Sequence, residues 1–125
     1  MSAVSQLMNA KQNAVDKLRA QLFKGLSELA LLSLLDQRPH YGLELLQRLW
    51  DEAGFELAEG TVYPLLYRLE RLGRITSDWR LGEGKARPKK YYEMTASGKK
   101  HLKELRLEWR NLRSQMDKIV GSVSK

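Results

Sequence analysis

The sequence predicts one mainly α-helical domain that carries a small β-hairpin. Three observations support this. Apolar residues recur at helical spacing through most of the 125 residues. Period-two alternation is confined to residues 75–94, around the turn Gly82-Glu83-Gly84. The composition, 42% apolar and 30% charged, is that of a folded, soluble chain of single-domain length.

The elements follow in chain order. Val4, Leu7, Ala14, Leu18 and Leu22 lie at helical spacing with Lys11, Asp16, Lys17 and Arg19 between them, which predicts an amphipathic amino-terminal helix over residues 1–21. Dense apolar residues from Leu22 to Leu35 suit a central buried helix. Arg38-Pro39 ends it, because a residue before proline is pushed out of the helical region. From Tyr41 to Glu52, Leu43, Leu46, Leu49 and Trp50 alternate with charged residues in a second amphipathic helix that stops near Gly54.

Residues 59–73 place Val62, Leu65, Leu66, Leu69 and Leu72 on one helical face. Gly60, Pro64, Tyr67 and Arg71 fall opposite, with Tyr63 and Arg68 on the flanks. That outer face is flat and aromatic near its start and cationic further along. Pro64 is tolerable near the helix start, where Gly60 has no side chain to crowd it.

Ile75, Ser77, Trp79 and Leu81 then alternate with Thr76, Asp78 and Arg80 as in a half-buried strand, and a second strand runs from about Lys89 to Met94. The connection holds Lys85, Arg87 and Pro88. The last helix carries Leu102, Leu105, Trp109, Leu112, Met116, Ile119 and Val123 at alternating spacings of three and four, an a/d heptad. Such a stripe can pack within one protomer. Its length and terminal position favour a homodimer.

Helix, helix, helix and basic hairpin is the order of a winged helix-turn-helix. The domain reading is therefore an amino-terminal helix over 1–21, a winged helix-turn-helix over 22–94 and a dimerisation helix over 95–125. Charge points the same way. Residues 1–67 carry a net −2, whereas residues 68–90 hold eight basic and three acidic side chains, a net +5. A local basic block suits a polyanion, since Lys and Arg release counterions from phosphates.

Other chemistries find little support. No cysteine is present, so disulfides, thiolate zinc sites and cysteine nucleophiles are excluded. His40 and His101 are 61 residues apart and outside any ligand motif, and are expected at a helix start and on the surface. No metal or cofactor is expected. No phosphate loop or nucleophile–base pair is present, and the reading is that of a non-enzyme. The amino terminus does not read as a signal peptide and no apolar run approaches a bilayer span, so a cytoplasmic protein is expected.

Four segments carry a family resemblance. Gly60-Thr61-Val62-Tyr63-Pro64-Leu65-Leu66-Tyr67-Arg68-Leu69, continuing through Glu70-Arg71-Leu72-Gly73-Arg74-Ile75, resembles the recognition-helix signature of the PadR family of transcriptional regulators. His40-Tyr41-Gly42, Arg87-Pro88-Lys89-Lys90-Tyr91-Tyr92 and Thr95-Ala96-Ser97-Gly98 fall in matching order, so the resemblance spans about residues 22–120. Its short final region is similar to the smaller PadR subfamily. Two departures stand out. Ala58 occupies the place of a common serine cap, and Tyr67 the place of a common Lys or Arg.

The resemblance implies a dimeric, ligand-responsive repressor that binds a pseudo-palindromic operator. Tyr63, Pro64, Tyr67, Arg68 and Arg71 are the candidate groove-facing residues, and Lys85, Arg87, Lys89 and Lys90 the candidate phosphate contacts from the hairpin. Thr61 either caps its helix or donates to a phosphate. In drug-binding relatives a tryptophan eleven residues after the glycine of Thr-x-x-Gly faces its symmetry mate across a pore, and Trp109 stands eleven after Gly98. Trp109 is thus either a stacking platform for a small aromatic, hydrophobic or cationic effector, or an interface anchor. The competing functional reading is a winged-helix module that binds an acidic protein partner without recognising a DNA sequence.

Overall fold

The computed structural model describes residues 2–54, 56–81 and 87–121. Helix α1 spans Ala3–Phe23 and passes through a short 3-10 turn, Lys24–Leu26, into α2, Ser27–Gln37. The apolar run from Leu22 is therefore divided between two helices. Strand β1, His40–Tyr41, leads into α3, Gly42–Ala53. Helix α4, Glu59–Arg71, precedes strands β2, Ile75–Arg80, and β3, Lys89–Met94, and α5 spans Ala96–Val120.

The chain is mainly α with a three-stranded antiparallel sheet in the order β1-β3-β2. The hairpin register pairs Ile75 with Met94, Ser77 with Tyr92 and Trp79 with Lys90. Strand β1 adds His40 opposite Tyr92 and Tyr41 opposite Tyr91. Two residues are too few to show a period in sequence, and β1 exists because β3 offers it an edge. The turn residues Gly82-Glu83-Gly84 and Lys85 lie outside the described residues, as does Val123.

One apolar core joins the helices to the sheet. Leu31, Leu32 and Leu35 of α2, Leu45 and Leu49 of α3, and Val62, Leu66 and Leu69 of α4 meet Ile75, Tyr92 and Met94. Full burial of each such side chain is worth about 1.5–3 kcal/mol. Leu72, placed on the buried face of α4 by periodicity, is 52% exposed instead. Leu72 is the carboxy-terminal cap of α4, its amide still bonded to the Arg68 carbonyl at 2.9 Å, and at about 100° per residue it falls at the edge of the buried face, past the last covering turn.

Helix α5 divides along its length. Leu102 is 1% exposed inside the core of the chain itself, so the heptad overstates the free stripe at this end. Leu105 packs on the same core. A hydrogen bond between His101 Nε2 and Glu28 at 3.1 Å and an ion pair from Arg106 to Asp36 at 3.4 Å hold this half against α2. Further along, Trp109, Leu112, Met116 and Ile119 are exposed, as are Val4, Leu7, Met8, Val15, Leu18 and Leu22 of α1. No helix among the described residues is long and apolar enough to cross a membrane.

His40 corrects the surface expectation, because it is fully buried. Its Nδ1 lies 2.7 Å from the Arg38 carbonyl and its Nε2 2.8 Å from Arg48 Nη1. The carbonyl only accepts and the guanidinium only donates, so the ring is neutral with its hydrogen on Nδ1. Burial, outweighing the Arg38 carbonyl contact, lowers its pKa below the ordinary value. As pH falls through the unfolded-state value of about 6.5, the unfolded chain takes up this proton first and stability falls. Above that pH the residue contributes no pH dependence. Urea midpoints at pH 7.5 and 5.5 should show this loss, and His40→Gln, although weaker at pH 7.5, should lose less on acidification.

Candidate nucleic-acid interface

The core sets the orientation of α4. Val62, Leu66 and Leu69 are buried, and the residues between them are thereby turned outward. Gly60, Thr61, Pro64, Tyr67 and Arg71 are exposed, with Tyr67 at 68%. Pro64 lies in the second turn and the helix continues through it. The amino-terminal cap is Ala58, which makes no side-chain cap bond. Its carbonyl accepts from the Thr61 and Val62 amides at 2.9 and 3.0 Å. Thr61 is the third residue of the helix and is not the cap.

Two residues of the outer face are tethered. The Tyr63 ring lies so close to Gly42 that a Cβ there would be 2.6 Å from it, so a larger residue at the start of α3 would displace the ring. Burial, then the Glu59 carboxylate, raises the Tyr63 pKa, keeping the phenol a neutral donor. Arg68 turns back to Glu28 of α2, with Nη2 at 3.3 Å from its carboxylate. It marks the edge of the face.

The hairpin is fastened to the end of α4 by Glu70, which accepts from the Ser77 hydroxyl and pairs with Lys90 at 3.8 Å. Arg80 is held by Asp78 at 2.9 Å and Glu93 at 3.2 Å. Lys89 instead places its ammonium 4.2 Å from the centroid of the Tyr41 ring, and Tyr41 meets Tyr91 edge to face at 5.4 Å. The basic block is therefore partly neutralised within the protomer. Among the described residues Arg71, Arg87 and Lys89 have no ion pair, so their charge remains for an outside partner.

Sequence reasoning missed two residues beside this surface. Trp79, read as half-buried, is 70% exposed, because the strand runs beyond the helices that cover Ile75 and Tyr92. Tyr41 sits on β1 at the hairpin edge. Trp79 carried a usable signal, an aromatic residue ten positions before Lys89 across the turn, whereas Tyr41 is brought to the lysines only by the pairing of β1 with β3.

A second concavity lies between α2 and α5. Trp109 and Leu112 line it with Leu29 and Leu105, Glu28 and Glu108 supply carboxylates, and its volume is about 320 Å³. Trp109 is 37% exposed there.

Comparison with known proteins agrees with this architecture. The transcriptional regulator PadR-like family matches residues 31–104. The fold is similar to a PadR family transcriptional regulator from Eggerthella lenta, with 33% identity and TM-score 0.74, covering 90% of this chain and 97% of that one. A PadR-like transcriptional regulator from Bacillus cereus gives 26% identity and the same TM-score of 0.74, over 82% of this chain and 98% of that one. A transcriptional regulator of Mycobacterium tuberculosis is 35% identical over 71 residues, 57% of this chain and 62% of its own length. The matched segment takes in the helices that orient Tyr67 and Arg71, the whole hairpin and the start of α5, and on that ground the chain belongs to the PadR-like family of transcriptional regulators, which are DNA-binding proteins and not enzymes.

Proposed function

We propose that the protein is a homodimeric repressor that reads a pseudo-palindromic operator with α4, grips its phosphates with the hairpin and is released by a small molecule. The observation that carries this reading is the outward face of α4, where Tyr67 and Arg71 project, with Arg71 and the wing residues Lys89 and Arg87 making no ion pair among the described residues. Tyr63, Pro64 and Thr61 complete the groove face, and Arg68 joins it on leaving Glu28. Lys90 and Lys85 add to the phosphate contacts.

Gel-shift titrations against a selected operator and random duplex test the division of labour. Arg71→Ala or Tyr67→Ala should bring the two affinities closer, by about 1–3 kcal/mol for a lost base contact. Lys89→Ala with Lys90→Ala should weaken binding to both duplexes alike and flatten the log–log salt slope by about 1 per contact. If the α4 variants weakened both duplexes equally, α4 would be a phosphate contact and the operator-reading role would fail.

The dimer is assigned to the distal half of α5, where Trp109, Leu112, Met116 and Ile119 form an apolar stripe. Leu102 and Leu105 support that stripe from the core side. Helix α1 carries an exposed stripe of its own, and covering both stripes on association removes apolar area from water twice over.

The effector is assigned to the cavity at Trp109, where its indole and that of its mate would hold a flat aromatic or hydrophobic ligand. In a protein with Trp50→Phe and Trp79→Phe, such compounds should quench the remaining emission with micromolar affinity, about −8 kcal/mol. Release requires tighter binding to the DNA-free state. Trp109→Ala should leave a DNA-binding dimer that no longer responds. If it yields only monomers, the indole is an anchor and the effector assignment fails.

A further inference from the structure

Another cavity, of about 450 Å³, opens between α4, the start of α3 and the hairpin. Tyr41, Tyr63, Trp79 and Tyr92 supply rings to its wall, and Lys89 and Lys90 supply ammonium groups. Small-molecule sites have volumes of roughly 300–1,000 Å³ and combine apolar walls with a few convergent polar groups. No carboxylate lines this one among the described residues, and Glu70, which touches its edge through Lys90, is shared between Ser77 and Lys90.

We propose that this cleft binds a small planar aromatic anion, and that its occupant competes directly with DNA. Trp79 supplies an exposed indole face for stacking. The Tyr63 ring, seated against Gly42, gives a wall that cannot retreat toward α3. Lys89, already poised over the Tyr41 ring, is free of any ion pair among the described residues and meets a carboxylate or sulfonate at the rim. The cavity at Trp109 differs in that no Lys or Arg lines it among the described residues, while Glu108 supplies a carboxylate and Glu28 is already paired with Arg68.

Competition rests on the proposed use of Tyr63, Lys89 and Lys90 in the DNA interface, since one set of side chains cannot serve both occupants. Mutual exclusion weakens apparent DNA affinity by the factor 1 + [L]/Kd.

The test uses 1-anilinonaphthalene-8-sulfonate as anionic probe and N-phenyl-1-naphthylamine as its uncharged counterpart. Without DNA, the anion should bind the full-length protein saturably and at least about tenfold more tightly than the amine, a gap of about 1.4 kcal/mol. Trp79→Ala, a change at an exposed position, should weaken the anion by a similar factor, and Lys89→Ala with Lys90→Ala should abolish the preference for charge. Equal binding of both probes, or a Trp79→Ala protein that binds the anion unchanged, overturns the site. With the site in hand, the probe at ten times its Kd should raise the apparent Kd for a random 30-base-pair duplex about 11-fold. If the probe binds through Trp79 while DNA affinity stays the same, competition is overturned, and the placing of DNA across the cleft fails with it.

Discussion

Gly98→Ala should destabilise the protein by about 3 kcal/mol, an overpacking cost at the upper end of the usual range, and lower Tm by roughly 10 °C. The cause is local. A Cβ at position 98 would lie 1.9 Å from the Arg74 carbonyl oxygen and 2.9 Å from its carbon. Neither atom has freedom to move. The same carbonyl accepts from the Thr95 amide at 3.2 Å, and Ile75, the next residue, is buried and paired with Met94. Thr95 adds to the joint, its hydroxyl donating to the Gly73 carbonyl at 2.6 Å and accepting from the Gly98 amide at 3.0 Å. Relief of the clash would separate α5 from the start of the hairpin. Gly60→Ala is the control, since nothing lies within 4 Å of a Cβ built there, and alanine favours the helix over glycine. Thermal denaturation of both variants decides the matter, and a Gly98→Ala protein as stable as wild type would show that α5 and the hairpin are less tightly joined than the close approach requires.

Leu112→Glu combined with Met116→Glu should convert a dimer into a 14.4 kDa monomer in sedimentation equilibrium. In the proposed assembly both positions face the partner, so four carboxylates would be brought into an apolar seam. Burying each unpaired charge costs several kcal/mol even after relaxation, and like charges at facing positions add repulsion. The association constant should fall at least about a thousandfold, or about 4 kcal/mol. The fold should survive, because the α5 residues that serve the core are Leu102 and Leu105, one turn or more away from the substitutions. Helical circular dichroism close to that of wild type, together with lost operator affinity, would separate assembly from folding. A dimer that persists at micromolar concentration would place the interface elsewhere, with the exposed stripe of α1 the next surface to alter.

Much of this molecule is legible in residue spacing because neighbours along the chain decide it. The exposed side of α4 follows from the burial of Val62, Leu66 and Leu69, and a 3.6-residue repeat needs no tertiary information to place Tyr67 and Arg71 opposite them. Strand β3 matches its expected bounds, Lys89–Met94, because a proline before it and the Thr95 cap after it mark both ends. Ala58 leaves α4 without a side-chain cap, as its methyl group dictates.

Other features depend on partners distant in sequence. His40 carries no mark of burial in its neighbourhood, and its place is set by Arg48 and by the edge of β3. Arg68 meets Glu28 across 40 residues, so a residue that periodicity puts on the flank of the outer face is tied to another helix. Trp79 follows the same alternation as Ile75 and Ser77, yet no helix covers the hairpin that far out. Leu102 and Ile119 belong to one heptad, and only the position of α2 decides that the first is core and the second is bare.

By itself, then, the sequence determined the helix–helix–helix–hairpin order, which side of α4 faces outward and the location of the basic block, because each depends on periodicity, caps and turns within a few residues. The tertiary structure alone decided which basic side chains are paired among the described residues, which half of α5 is free and where the two cavities lie. Ion pairs and cavities form between elements far apart in the chain, and a side chain's local pattern does not record what packs against it from elsewhere.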